Sequence, residues 1–452
     1  MKRIIFLMPA FFLCMTTGFA KDFPWKEKTE QALYIHRAIK EVTDVMVHDI
    51  YSPPVASRTY AYISIAGYEA LTQGNPLYYS LAGQLHGLCP IPKPIHEKSY
   101  SATLAAVQAI LSVGKAMTIS EDKIEAFRKV ILKEFNASGI PADIFQYSVD
   151  YGQQIAAHIL KWSADDNYKQ SRSFPKYAVG DDAGSWKPTP PSYMKAVEPH
   201  WNKIRTFLID SAQQFKPLPA LPFSMDSGSA FYKEAMAVRQ AGIQLTAEQK
   251  DIASFWDCNP FKMNISGHVM YATKKISPGG HWINITREAC QTRNLDAVET
   301  AEAYAYMSIT MADCFISCWD EKYRSRVIRP ETYINQYIDN NWMPFLQTPP
   351  FPEYTSGHSV VSMAAAVVLA SMFGTEYSYI DSTESEFGLP PRSFHSFREA
   401  AMEAAISRFY GGIQYMPSIL NGISEGEEIG NYFVRKLRTR VSGKWSMASS
   451  QK

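Results

Sequence analysis

The chain has 452 residues, of which 46% are apolar and 20% charged, and its formal net charge is +1. That length suits one large domain or two ordinary ones, and the balance is that of a globular, soluble protein. A charge this close to zero excludes a global field for nucleic acid or an acidic membrane, so any preference for anions must be built locally.

In chain order, residues 1–20 read as a secretory signal. Lys2 and Arg3 form the basic start, Ile4 to Met15 the apolar stretch, and Gly18-Phe19-Ala20 a small-x-small cleavage site. The expectation is a mature chain from Lys21, secreted or periplasmic, with no transmembrane segment after cleavage. Five cysteines then remain: Cys89, Cys258, Cys290, Cys314 and Cys318. An odd, sparse set argues against a disulfide scaffold. Cys314 and Cys318, one helical turn apart, are expected to pack in a core rather than bind metal.

Apolar spacing predicts helices over 27–50, 57–71, 97–118, 120–136 and 142–165. From about 171 to 225, prolines at 175, 188, 190, 191, 199, 217, 219 and 222 break the pattern. Trp186, Tyr193 and Trp201 in this stretch favour a loop packed over helices as much as a free linker. Helical texture returns at 245–258, 265–276, 295–321, 356–374, 396–410 and 417–437. No run alternates with period two. The apolar stretch Val360 to Phe373 is too short to span a membrane and reads as a buried central helix. The fold class is all-α, in helical bundles. An N-terminal helical region (21–230) is followed by a C-terminal bundle (231–445) that carries the chemistry.

Three segments supply that chemistry. Lys322 and Arg329 are seven residues apart, nearly two helical turns, and Pro330 ends the helix at Arg329. A guanidinium grips two oxygens of an oxyanion at once, whereas an ammonium acts as a point charge. Thr355-Ser356-Gly357-His358 opens an apolar helix. Thr355 or Ser356 is placed to cap it, Gly357 lets the backbone approach a ligand, and the free N–H groups favour an anion. His358 stands in that first turn as a proton donor. Ser407-Arg408 ends another helix, and Gly411-Gly412 turns residues 413–415 back. Taken singly, the first and third segments read as an ordinary basic helix end and a C-cap, and the second equally as an ordinary capped helix. Two other features carry little: Gly422-Ile-Ser424-Glu-Gly426 fits a nucleophile elbow only in letters, since its surroundings are helical. The histidines outside the site show no metal-ligand spacing.

Together the three segments resemble the superfamily that unites type-2 phosphatidic acid phosphatases, bacterial acid phosphatases and vanadium-dependent haloperoxidases. Its signature is K-x6-R-P, then P-S-G-H, then S-R-x3-G-x-H-x3-D. The resemblance implies that Lys322, Arg329, Ser356, Gly357 and Arg408 bind phosphate or vanadate, with His358 as the acid and no direct metal ligand. It also implies a soluble, all-helical fold of the haloperoxidase and acid phosphatase type. Three positions depart from the signature: Thr355 for Pro, Gln414 for the His that is nucleophile or vanadium ligand, and Ser418 for the Asp that orients it. The implied ligand is a small oxyanion or phosphoester. The implied activity is phosphomonoester hydrolysis or vanadate-dependent halide oxidation, set against a binding-only member because Gln414 is a poor nucleophile and a poor vanadium ligand. His395, in the loop before the Arg408 helix, is the one alternative imidazole.

Overall fold

The computed structural model describes residues 24–266, 268–443 and 445. The signal-like segment 1–20 lies outside them. The helices in chain order are α1 (Pro24–Thr29), α2 (Ala32–His48), α3 (Pro53–Thr72), α4 (Ala102–Met117), α5 (Glu121–Ala137), α6 (Ala142–Ser163), α7 (Tyr168–Ser171), α8 (Ala230–Ile243), α9 (Ala247–Phe255), α10 (Pro278–Thr292), α11 (Ala297–Ser325), α12 (Pro330–Tyr337), α13 (Gly357–Phe373), α14 (Phe397–Tyr410) and α15 (Met416–Lys436). The fold is all-helical, with two short antiparallel hairpins, β1 (Met263–Ser266) with β2 (Val269–Ala272) and β3 (Tyr379–Asp381) with β4 (Arg392–Phe394).

Three helices form the centre. In α3 every residue but Val55 is buried, which explains its weak amphipathicity. It packs along α11, whose N-terminus is fixed by a capping box between Asp296 and Glu299. The third is α13, apolar on all sides and wrapped by α11, α14 and α15. No helix of the described residues is long and apolar enough to cross a membrane. One hydrophobic core runs from Trp25 through α3, α11 and α13 to Leu437.

The Gly422–Gly426 motif sits inside α15, not on a strand-to-helix turn. Gly422, Gly426 and Gly430 line the face toward α13. A Cβ at Gly422 would come within 2.9 Å of Ser359 Cβ, and one at Gly426 would overlap the Val360 carbonyl oxygen. The glycines are there so that two helix backbones can touch.

The sequence reading of a helix over 265–276 is overturned: β1 and β2 form a hairpin there, with Met263 opposite Ala272. Val269 and Tyr271 are exposed, so no core receives a helical apolar stripe, and the backbone pairs across the turn instead. The helix that follows, α10, begins at Pro278, with Ser277 accepting from the Gly280 N–H. Its Gly-Gly start hides it from propensity, yet Gly280 lies against Ile276 and the Tyr60 hydroxyl, 2.5 and 2.9 Å from where a Cβ would stand.

The proline-rich stretch is a packed strap. Trp186 and Trp201 are fully buried. Trp186 N–H donates to Arg326 O at 2.7 Å, and Val197 O accepts from Trp319 Nε1 (3.2 Å) and the Tyr323 hydroxyl (2.6 Å). Farther on, Asp313, fully buried in the middle of α11, accepts the N–H groups of Phe207, Leu208 and Ile209 at 2.7, 2.7 and 2.9 Å. Cys314 and Cys318 are buried core thiols, and none of the five cysteines among the described residues is paired.

Candidate functional site

Lys322 and Arg329 do not share one helix. The last turn of α11 closes at Ser325, Arg326 adopts a left-handed conformation with φ 52°, and Val327 pairs with Ser185. Arg329 lies in extended backbone as the N-cap residue of α12. The chain thus leaves the helix one turn earlier than the Pro330 rule alone suggests, because the strap captures residues 326–328. The two cations still meet. Lys322 Nζ donates to the carbonyls of Pro352, Glu353 and Thr355 at 3.1, 3.1 and 2.5 Å. Arg329 donates to Phe351 O (2.9 Å), Pro352 O (3.3 Å) and Ile413 O (2.9 Å). Both are buried, and each carbonyl contact holds a head group in one place.

Ser356 caps α13, its hydroxyl accepting from Ser359 N–H at 3.3 Å, while its own N–H donates to Ser418 O at 3.1 Å. The N–H groups of Gly357 and His358 find no acceptor among the described residues, as expected at a helix start. Arg408, in the last turn of α14, donates from Nε to Ser407 Oγ (2.9 Å) and from Nη2 to the Trp256 carbonyl (2.7 Å). Its Nη1 has no partner among the described residues.

Arg329, Gly357, His358, Arg408 and Gln414 line one small cavity, with Trp319 and Phe351 as its apolar wall. Lys322 sits just behind it, its Cε 4.0 Å from where a Gly357 Cβ would be. Ser356 takes part through the cap rather than the wall. A side chain at 357 would fill the space between the lysine and the cavity.

Burial pushes the Lys322 ammonium and the Arg329 guanidinium down from their ordinary values. It pushes Glu353, which faces both, up. Arg408 is likewise lowered by burial. His358 is held well below the usual imidazole range, by burial first and by Arg408 beside it second. It is therefore a neutral ring at pH 7. Its Nε2 lies 3.1 Å from the Trp256 carbonyl, which fixes Nε2 as the protonated nitrogen.

Gln414 is buried, with Nε2 donating to Glu353 O at 3.0 Å. Ser418, four residues on, sends its hydroxyl toward the same carbonyl at 3.4 Å. One donor of the carboxamide is thus already engaged by the protein. His395 is exposed and not part of the cavity wall; its N–H donates to Glu399.

Two carboxylates behind the site have no local sequence signal. Glu353 takes the Tyr415 N–H at 2.9 Å, and Glu425 of α15 accepts from Thr355 Oγ1 (2.7 Å) and Ser317 Oγ (2.8 Å). Burial raises Glu425 to about 7. Only buried acidic residues next to the motif could have flagged them. His281, which shows no ligand spacing in sequence, packs against Cys258 and Glu384.

The last third of the chain, residues 302–443, matches the family model of the VCPO second helical-bundle domain. The fold is similar to the crystal structure of a bacterial vanadium-dependent iodoperoxidase, with a TM-score of 0.86 and 48% identity over 94% of this chain and 99% of that one. The chain belongs to the vanadium-dependent haloperoxidase family. The haloperoxidase fold is also seen, at 15% identity and a TM-score of 0.64, in holo and apo forms of a bacterial vanadium-dependent chloroperoxidase, which cover 84% and 85% of this chain and 91% and 94% of their own. No curated protein matches. Within this haloperoxidase fold, Lys322, Arg329, Gly357, His358 and Arg408 come from α11, α12, α13 and α14, so they meet only when the bundle is assembled.

Proposed function

We propose that the cavity binds a tetrahedral oxyanion, vanadate or phosphate, and that halide oxidation by this haloperoxidase-family protein is weak until position 414 carries a histidine. One observation carries the first half. Arg329, Arg408 with an Nη1 that has no partner among the described residues, and Gly357 and His358 with N–H groups that find no acceptor there, all line one cavity, with Lys322 behind. That donor set fits an oxyanion: guanidinium groups and helix-start N–H groups share the wall, and the one carboxylate on it, Asp257, is already paired with Lys275 at 2.9 Å. When bound, vanadate would supply the centre at which peroxide is activated toward halide.

The residues of the chain do the rest. Lys322, Arg329 and Arg408 hold negative charge, and their carbonyl contacts keep them aimed without reorganisation. His358 carries a proton at Nε2 and must release the Trp256 carbonyl, or take a second proton at Nδ1, before it can donate toward the anion. Gln414 stands where the resemblance places the vanadium-ligating imidazole. A carboxamide with its nitrogen turned to Glu353 O offers no nitrogen lone pair, so the anion is held by charge and hydrogen bonds alone. Iodide is the first halide to test, because the 48%-identical structure is that of an iodoperoxidase. We place the mature protein outside the cytoplasm, on the signal-like residues 1–20.

The test is calorimetric titration with vanadate and with phosphate, followed by iodide oxidation with peroxide and vanadate. The wild type should bind both anions, and Arg408→Ala should weaken binding at least about tenfold. Gln414→His should raise vanadate-dependent iodide oxidation by at least about a hundredfold. No heat from the wild type would end the binding proposal. A folded, vanadate-binding Gln414→His protein as slow as the wild type would end the role given to position 414.

A further inference from the structure

Behind the cavity wall lies a second cluster of chemistry-bearing side chains, assembled from three elements. Cys258 follows α9, His281 is in the first turn of α10, and Glu384 follows β3. All three are buried. Cys258 Sγ lies 3.4 Å from His281 Nδ1 and 3.9 Å from Glu384 Oε1, and Nδ1 lies 3.2 Å from Glu384 Oε1. The three atoms form a triangle. A tetrahedral centre with Zn–S near 2.3 Å and Zn–N and Zn–O near 2.0–2.1 Å requires edges of about 3.3–3.6 Å. Two observed edges match within about 0.2 Å, and the third is longer by about 0.3 Å.

The far side of the imidazole is built as well. His281 Nε2 meets Asp381 Oδ2 at 2.8 Å, and Asp381 Oδ1 is itself held by Thr383 N–H (3.0 Å) and Oγ1 (2.6 Å). Trp256 stacks on the ring at 4.5 Å with a 16° tilt. A carboxylate that takes Nε2–H leaves Nδ1 as the ligating nitrogen. Without a cation, Nδ1 faces a carboxylate oxygen and a sulfur along two different lines. The Nδ1–H and the Cys258 S–H then both turn on one Glu384 oxygen, the thiol at a long 3.9 Å, whereas an ion at the centre engages all three atoms.

We propose that Cys258, His281 and Glu384 bind a divalent cation of the zinc class, with Asp381 as the positioning residue. Mixed sulfur, nitrogen and oxygen ligands favour zinc or cobalt over magnesium or calcium. Three protein ligands leave one position for water or a small anion, on the side where Cys258 reaches the cavity wall. The ion would lock the turn at 256–258. That turn carries the carbonyl on which His358 and Arg408 converge, and Cys258 N–H also donates to it, at 2.8 Å. The proposal does not depend on vanadate, which would occupy the cationic cavity.

The full-length chain is expressed with cobalt as the supplied metal and passed over a chelating column without vanadate. One cobalt per chain is expected, with tetrahedral d–d bands and a sulfur-to-cobalt charge-transfer band in the near ultraviolet. Cys258→Ser should abolish the charge-transfer band. Asp381→Asn, which keeps all three ligands, should weaken cobalt affinity by about 10–100-fold; it also serves if the serine variant does not fold. Folded wild type that carries no cobalt, and takes up no zinc when expressed with zinc instead, would overturn the site. So would a charge-transfer band unchanged in Cys258→Ser.

Discussion

His358 and Arg408 converge on a single acceptor, the carbonyl oxygen of Trp256, at 3.1 and 2.7 Å. The imidazole therefore sits beside a guanidinium in a buried pocket, and its proton faces a backbone carbonyl rather than the cavity. On the proposed reading, an anion bound between the two would offset the Arg408 repulsion, which after burial is the second cause of the lowered His358 pKa. Binding of vanadate or phosphate should raise the His358 pKa, seen as a shift of its ring proton resonances with pH. An unchanged titration with anion bound would remove His358 from the cavity's electrostatics.

Arg329 spreads its donors over three carbonyls from two segments, Phe351 and Pro352 on one side and Ile413 on the other. Lysine keeps the charge but cannot reach all three. Arg329→Lys should lower stability by about 2–4 kcal/mol in denaturant unfolding and raise the Kd for phosphate about tenfold or more. A variant that binds phosphate as tightly as the wild type would show that charge alone, without the fixed fork, suffices.

Asp313 ties the strap to α11 through three backbone N–H groups. Asp313→Ala leaves those donors buried without acceptors and should cost about 3–5 kcal/mol. Limited proteolysis should then cut near 207–209 first. Unchanged protease resistance would argue against the strap's dependence on this carboxylate.

His36 is buried with Nδ1 2.8 Å from the Tyr304 hydroxyl, and burial first, then Arg287, pull its pKa down to about 4. The sign follows from linkage. Below pH 6.5 the unfolded chain takes a proton at this ring that the folded chain refuses until about pH 4, so the folded state loses stability as pH falls through that window. His36→Gln removes the titration. Its stability relative to wild type should improve between pH 7 and 4 by up to about 3 kcal/mol, measured by urea unfolding at each pH. A difference that stays flat with pH would mean that the ring titrates normally in the fold.

Gly426 lets α15 touch α13 at the Val360 carbonyl. Gly426→Ala should destabilise by about 1–3 kcal/mol, since the added methyl meets backbone rather than a flexible side chain. A neutral or stabilising alanine would mean that the two helices can slide apart freely.

Periodicity and motif spacing are local, so the all-helical class, the central burial of α13 and the core role of Cys314 and Cys318 were legible in the sequence, and the family was legible through the resemblance of its three motifs. Lys322, Arg329, Ser356, Gly357, His358 and Arg408 could be picked out from such spacing, and Gln414 only from the resemblance. Tertiary structure alone decided where Arg329 points, since the strap takes the chain out of α11 before Pro330 can. It also decided that residues 263–272 pair as a hairpin, for want of a core to receive a helix. It turned the Gln414 nitrogen toward Glu353 and the His358 proton toward Trp256. It assembled Glu353, Glu425 and the Cys258–His281–Glu384 cluster. Those residues are tens to hundreds of positions from their partners, and only close packing, with desolvation of the groups it encloses, gives them shared chemistry.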